Sequence, residues 1–409
     1  MTAERKKQIL RAAAPSLALL LCCGLYFGAQ AAAERRFSAA VEAASDPELQ
    51  QLDGLWNYNA LTAREQQLYE VLRDAMERRD TETARLSFVP TQNEFTAAYD
   101  AVLYDHPLFC DLVRELCTLT VSDYSAAVTL GYLEDGQTRR EVLCDTVSSM
   151  LEEVGSASDT PMDAALLLHD MLTARCTWIS EEETELTTDG ETAYDALCSQ
   201  VSGGLGYALA YSMLCRASGV DCAVVTGTAS DGERQGMHAW NALNLDGTVG
   251  YTDVMWNDAA AVIAADGAEQ EALPFHGYYF LSDAEMRRDH VPAQGAGFGQ
   301  GGETNNYYEQ MNCCITDAQS LEPMLTALVT DARRTASGAV EFWLDPALGI
   351  TGYALEEALG AAIVAANADS TAATAELRSV NRIYRTAFGG GGITVQLFYE
   401  ENDELLGET

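Results

Sequence analysis

The sequence is poor in positive charge. Lysine and arginine together number 24, against 62 aspartates and glutamates, which gives a formal net charge of −38. A surface this acidic repels phosphate backbones, so the composition argues against nucleic acid as a partner. We expect the acidic side chains mainly to keep the surface solvated.

Spacings typical of metal and redox sites are missing as well. The eleven cysteines include no C-x-x-C pair, and no two of the five histidines are separated by three residues. The sequence therefore predicts no zinc site, no redox dithiol, no catalytic metal and no cofactor. Nine cysteines follow residue 100, an odd number, so at least one is unpaired within a monomer.

Apolar residues are not scarce, and one long apolar run stands near the N-terminus. Four basic residues among the first eleven precede an apolar stretch from Ala12 to Ala33. This order predicts either a cleaved signal peptide or one uncleaved membrane anchor, at residues 1–33. Because the basic end stays in the cytoplasm, the rest of the chain is expected to be extracellular or at the cell surface.

Residues 35–157 are predicted to form a helical domain. Thr62 and Glu65 make a capping box ahead of an apolar helical pattern. A second helix is predicted from Asn93 to Tyr104, and apolar residues between Val142 and Leu151 indicate a third.

Residues 158–294 are predicted to form a core of helices followed by strands. Thr160, with a proline at the next position, is a typical helix start, and a further helix is predicted from about Gly204 to Ser218. Three strand-like runs follow: Val220–Thr228, His238–Leu245 and Val249–Trp256. Asp246 and Gly247 join the last two runs, which is a strong hairpin signal.

Residues 304–409 are predicted to form a small α/β domain after a glycine-rich linker at Gly295–Gly302. Its predicted elements are a helix at Leu321–Ala332, a strand at Val340–Leu344, a helix at Tyr353–Ala366 and a hairpin of Val380–Phe388 with Ile393–Tyr399. Tyr278–Phe280, before the linker, is interpreted as a core strand.

The predicted hairpin places two chemically useful side chains together. If Asp246 and Gly247 form a two-residue turn, then His238 and Asp253 become diagonal neighbours on one face. A cysteine acyl-transfer site needs such a histidine and carboxylate, with a thiol at a helix N-terminus, where the macrodipole favours thiolate. On an ordinary sheet the same pair could also be incidental.

Five short motifs occur in the order of a known family. They are Ala193–Leu197, Leu205–Ala208, Val224–Gly227, His238–Asn241 and Tyr251–Trp256. Over about residues 160–290 the chain resembles the bacterial transglutaminase-like core of the papain-type cysteine peptidase and transglutaminase superfamily. The resemblance implies an α+β fold: a papain-like transglutaminase core, here preceded by a helical domain and followed by a small α/β domain.

The chain departs from the family's pattern at the nucleophile. The family's cysteine falls on Gly204, whereas His238 and Asp253 match its base and orienting acid. Because glycine has no side chain to attack a carbonyl, the resemblance implies a pseudoenzyme whose groove binds a peptide or protein ligand at the cell surface.

Two alternatives stay open. Cys198, six positions earlier, or less readily Ser202 could replace the nucleophile and make the protein an active cysteine peptidase or acyl transferase. The core could also be a spacer, with function carried by the acidic surface or the last domain. The sequence predicts neither the ligand nor the oligomeric state.

Overall fold

The computed structural model describes residues 55–86, 88–122, 125–158, 160–179, 191–230, 235–258, 275–293, 306–369, 377–384 and 391–399. The predicted leader at residues 1–33 and the linker at Gly295–Gly302 lie outside these ranges. Within them, no helix combines the length and the apolar character needed to cross a membrane.

Helices and strands are mixed throughout the described residues. The helices are α1 (Trp56–Asn59), α2 (Ala63–Arg78), α3 (Gln92–Asp105), α4 (Gly136–Ala157), α5 (Pro161–Thr173), α6 (Gly204–Ser218), α7 (Val254–Asn257), α8 (Asp283–Met286), α9 (Tyr307–Gln310), α10 (Leu321–Thr335) and α11 (Gly352–Ala368). The strands are β1 (Thr118–Val121), β2 (Ala126–Thr129), β3 (Thr177–Trp178), β4 (Val201–Ser202), β5 (Asp221–Ser230), β6 (Gln235–Leu245), β7 (Thr248–Thr252), β8 (His290–Pro292), β9 (Cys314–Ile315), β10 (Ala339–Leu344), β11 (Leu377–Tyr384) and β12 (Gly392–Tyr399).

These elements belong to two compact units. The described residues up to Met255, together with 282–293, form the first, and 256–258, 275–281 and the residues from 306 onward form the second. The predicted boundary between 35–157 and 158–294 falls inside the first unit and stays a prediction.

Local side-chain chemistry explains where the helices of the first unit begin. The Thr62 hydroxyl accepts from the backbone N–H of Glu65, whose carboxylate accepts in return, so the predicted capping box before α2 is confirmed. Thr160 caps α5 in the same way, with Pro161 at the first helical position. The predicted helix Gly204–Ser218 is confirmed with the same bounds.

The N-terminal region is less purely helical than predicted. β1 and β2 form an antiparallel pair of four residues each, within the range predicted to be helical. Residues Thr118–Val121 alternate polar and apolar side chains over one short run, whereas Ala126–Thr129 do not alternate, so the pair gives only a weak period-two signal in the sequence.

The main sheet of the first unit has the order β7-β6-β5-β8 and is antiparallel throughout. Leu245 faces Thr248, so the predicted two-residue turn is confirmed, with positive φ angles of 53° at Asp246 and 86° at Gly247. The predicted strand Val249–Trp256 is too long, because pairing stops at Thr252 and α7 follows.

The second unit has a four-stranded sheet of order β11-β12-β10-β9, with β9 parallel to β10. Helices α10 and α11 belong to the same unit, which also includes 256–258 and 275–281, so the predicted domain at 304–409 stays a prediction. The interpretation of Tyr278–Phe280 as a strand is wrong: these residues are buried, but they turn, and Phe280 has a φ of 57°. The three consecutive aromatic residues correctly predicted that this segment is buried, but the predicted extended backbone conformation was wrong.

His106, which follows α3, is buried in the first unit and generates a prediction about acid stability. Its Nε2 lies 3.0 Å from the Tyr69 hydroxyl. Burial, with smaller contributions from the positive charges of Arg216 and Arg73, lowers the pKa of His106 to about 3. The folded protein therefore holds this imidazole neutral.

We predict that His106 makes the protein more sensitive to acid. A histidine in the unfolded chain has a pKa of about 6.5. Below that pH, His106 is therefore protonated in the unfolded chain but not in the folded protein. As the pH is lowered from the unfolded pKa to the folded pKa, the free energy of unfolding should fall by up to about 1.4 kcal/mol per pH unit. His106→Gln should flatten urea-unfolding free energies across that window relative to wild type. Equal slopes would contradict the account.

Candidate active site

The first feature of the site is the start of α6. Gly203 is the N-cap residue, in an extended conformation, and makes no side-chain cap hydrogen bond. Gly204 is the first residue of this helix of 15 residues. The positive end of the helix dipole therefore lies at position 204, where the resemblance described above predicts the cysteine of an active relative.

His238 and Asp253 lie together at the edge of the β6–β7 hairpin. His238 Nε2 is 2.6 Å from Asp253 Oδ2, and the two side chains are 8% and 1% exposed. The ladder ends at Asn241 and Thr252, so Asp253 reaches the imidazole from just beyond the paired strand. His238 and Asp253 are therefore close together, as the predicted hairpin requires. The catalytic role of this pair stays a prediction.

The other edge of the imidazole faces Gly204. A Cβ atom added at Gly204 would lie 2.9 Å from His238 Nδ1 and 3.0 Å from Cε1, with Met255 Sδ at 3.3 Å. The order of groups is therefore position 204, imidazole, carboxylate, which is the order a cysteine triad requires. A side chain at 204 would have to displace the ring by a few tenths of an ångström.

A hydrogen bond ties the histidine's strand to the helix. Asn241 Nδ2 donates to the backbone oxygen of Ala208 at 2.8 Å. Asn241 stands three residues after His238, and Ala208 stands one turn after Gly204. The bond therefore helps to hold β6 against the start of α6, where the imidazole meets position 204.

His290 is a member of the site that the sequence did not reveal. Its Nε2 lies 3.0 Å from the same Oδ2 of Asp253, and its Nδ1 lies 2.6 Å from Asp289 Oδ1. The His290 side chain is fully buried. The cluster thus runs Asp289, His290, Asp253, His238.

Small residues in β5 allow the two histidines to approach each other. His238 pairs with Gly227, and His290 pairs with Ala229, so both rings stand on one face over adjacent rows of the sheet. Their ring centroids are 5.5 Å apart. A Cβ at Gly227 would lie 2.1 Å from the Val291 oxygen, so only glycine lets β8 dock here.

Burial and hydrogen bonding act in opposite directions on the charges of this cluster. Burial alone would raise the pKa of Asp253, but the charge and hydrogen bond of His238 and the hydrogen bond of His290 lower it well below its usual value. Burial alone would lower the pKa of His290, but its two carboxylate partners raise it. Asp253 is therefore ionised, as an orienting acid must be.

The candidate replacement nucleophiles have other contacts. Cys198 lies in a π-helical turn, Asp195–Ser199, with its Sγ 3.5 Å from Thr146 Oγ1, and burial raises the pKa of this thiol. Ser202 is buried and donates its hydroxyl to the Gly203 oxygen at 3.2 Å. Neither environment favours an ionised nucleophile.

Residues 148–254 match the family model described as the transglutaminase-like superfamily. This segment is a transglutaminase-like domain. It contains Gly204, His238 and Asp253, whereas His290 lies beyond the match. No curated protein matches the chain.

We predict that a single substitution gives the transglutaminase-like domain a reactive thiol. In Gly204→Cys, the sulfur would lie at the start of α6 beside His238, where the dipole and the imidazole favour thiolate. At mildly acidic pH, dilute iodoacetamide should label Cys at 204 at least tenfold faster than an ordinary thiol with a pKa of about 8.5.

Two variants control this labelling experiment, which is mapped by mass spectrometry. Adding His238→Ala should remove the fast labelling. Gly360→Cys offers an exposed helical position with no neighbour within 4 Å of the added Cβ, and it should label at the ordinary rate. If cysteines at 204 and 360 label equally fast, the site is not arranged for a nucleophile.

Proposed function

We propose that this protein is an exported pseudoenzyme of the transglutaminase-like class that binds a peptide or protein segment without acyl transfer. The observation that carries the proposal is the placement of His238 beside Gly204, where an added Cβ would lie 2.9 Å from Nδ1. The base of the triad points, through Nδ1, at a residue with no side chain. Acyl transfer by this class needs a covalent bond to a nucleophile.

The arrangement of the remaining groups supports retention of a binding function. The histidine–carboxylate pair is buried and hydrogen-bonded, although it has no nucleophile to activate. Burying such a pair costs free energy, so a site kept only as a spacer has no need of it. Near Gly204, the start of α6 also has no side-chain cap competing for its backbone N–H groups.

The chemistry of the start of α6 favours an acceptor-bearing ligand. Backbone N–H groups at a helix N-terminus donate to carbonyl or carboxylate oxygens. Glycines at 203 and 204 let a ligand backbone approach closely, since neither carries a Cβ. A peptide carbonyl or side-chain amide fits these donors, as it would in an active member of the class.

The proposed location follows from the N-terminal segment. Basic residues followed by the apolar run Ala12–Ala33 support export, with the protein then secreted or anchored at the cell surface. The net charge of −38 suits a soluble, well-solvated exterior.

The test is peptide binding with and without a blocked site. A fluorescein-labelled peptide containing glutamine and lysine should bind the purified protein in fluorescence anisotropy, with no ammonia release and no covalent adduct. Gly204→Cys alkylated with iodoacetamide should bind at least about tenfold more weakly, because the adduct fills the space beside His238.

The matched control is Gly360→Cys alkylated in the same way, which should bind like wild type. Equal binding by the two alkylated variants would place the ligand elsewhere and favour the spacer alternative. Ammonia release by wild type that is lost in His238→Ala would show an enzyme with a displaced nucleophile.

A further inference from the structure

The cluster around Asp253 contains a set of metal-binding side chains. One nitrogen each from His238 and His290 and a carboxylate oxygen of Asp253 lie within 4.8 Å of one another. We propose that these three residues bind one divalent transition-metal ion of the zinc type. This inference does not depend on the proposed peptide binding.

The ligand set matches what such ions prefer. Imidazole nitrogens and a carboxylate are ordinary ligands of zinc and its neighbours in the first transition row. Three protein ligands leave a fourth position for water or a small ligand. Both Nε2 atoms already converge on one oxygen, Asp253 Oδ2, at 2.6 and 3.0 Å.

Only a small expansion would admit the ion. Metal–nitrogen and metal–oxygen bonds of about 2.0–2.1 Å in a tetrahedron place neighbouring ligand atoms about 3.3 Å apart. From the present 2.6 and 3.0 Å, His238 Nε2 would therefore move about 0.7 Å and His290 Nε2 about 0.3 Å away from Asp253 Oδ2. The added space lies beside His238, where Gly204 has no side chain that resists a shift of the ring.

Asp289 supplies the outer partner that metal-binding histidines usually have. Its carboxylate oxygen lies 2.6 Å from His290 Nδ1, so that nitrogen donates its proton outward. When a metal takes the place of the proton on Nε2, the ring is already in the correct tautomer and orientation. Such carboxylate–histidine–metal arrangements raise metal affinity.

Charge balance favours a divalent ion in this place. A metal ion binds both imidazoles in their neutral form, so in the metal-bound cluster Asp253 and Asp289 contribute two negative charges. A dication neutralises both, and burying a balanced cluster costs far less than burying an unbalanced one. The competing arrangement is a metal-free chain of hydrogen bonds held together by protonated histidine.

The loss of the nucleophile removes a conflict between the metal and catalysis. In a cysteine enzyme, the imidazole must take and return a proton, and a metal on its Nε2 would break the bond to the orienting carboxylate. With Gly204 in place of the cysteine, His238 has no such duty. Sequence spacing predicted no metal because the ligands come from β6, β8 and the residue after β7.

The test is a cobalt titration of the full-length protein after chelator treatment. One equivalent of Co²⁺ should give the visible absorption of a four-coordinate site and should be displaced by Zn²⁺. No intense sulfur-to-metal band should accompany it, which excludes binding by the cysteines. His290→Gln should weaken binding at least hundredfold, and Asp289→Asn, which removes only the outer partner, about tenfold.

His106→Gln is the matched control, since it removes a buried histidine outside the cluster, and it should bind Co²⁺ like wild type. Near-ultraviolet circular dichroism checks that each variant is folded. If His290→Gln does not fold, the Co²⁺ affinity of Asp289→Asn tests the metal site instead. The metal site would be overturned if wild type failed to bind one equivalent of Co²⁺. It would also be overturned if the His290 and Asp289 variants bound Co²⁺ as tightly as wild type. Either result would favour the hydrogen-bonded chain.

Discussion

The arrangement of the site depends on the carboxylate of Asp253. This group is fully buried, and a buried carboxylate stays ionised only when strong partners compensate for lost hydration. Here His238 and His290 supply that compensation through one shared oxygen. The second histidine can be present because Gly227 lets β8 pack against β5, so a backbone requirement in one strand supports the charge state of another element.

The glycine at the start of α6 and the position of the His238 ring are matched to each other. The ring lies so close to Gly204 that a Cβ there would contact Nδ1 at 2.9 Å. In the function we propose, the helix start is the site of the missing nucleophile, His238 is the base and Asp253 is the orienting acid, so the site differs from a complete triad by one side chain. Because the rest of the site is kept in place, we favour a site that still binds a ligand over a spacer.

Sequence reasoning succeeded where a local rule fixes the outcome. The Thr62 cap and the turn at Asp246–Gly247 were predictable, because capping and turn chemistry act within a few residues. Predictions from the sequence failed where tertiary packing decides the backbone path or brings distant residues together. Pairing stops at Thr252, two residues before α7 begins, and His290 joins the site through a strand of three residues with no recognisable pattern.

The central claim, that no thiol of the natural protein is activated, is tested most directly by labelling the wild-type protein. Dilute iodoacetamide at mildly acidic pH, mapped by mass spectrometry, reports the ionisation of each cysteine. The account predicts uniformly slow labelling, with Cys198 no faster than the others because burial raises the pKa of its thiol. Fast labelling of Cys198 that disappears in His238→Ala would contradict it and show an enzyme with a relocated nucleophile.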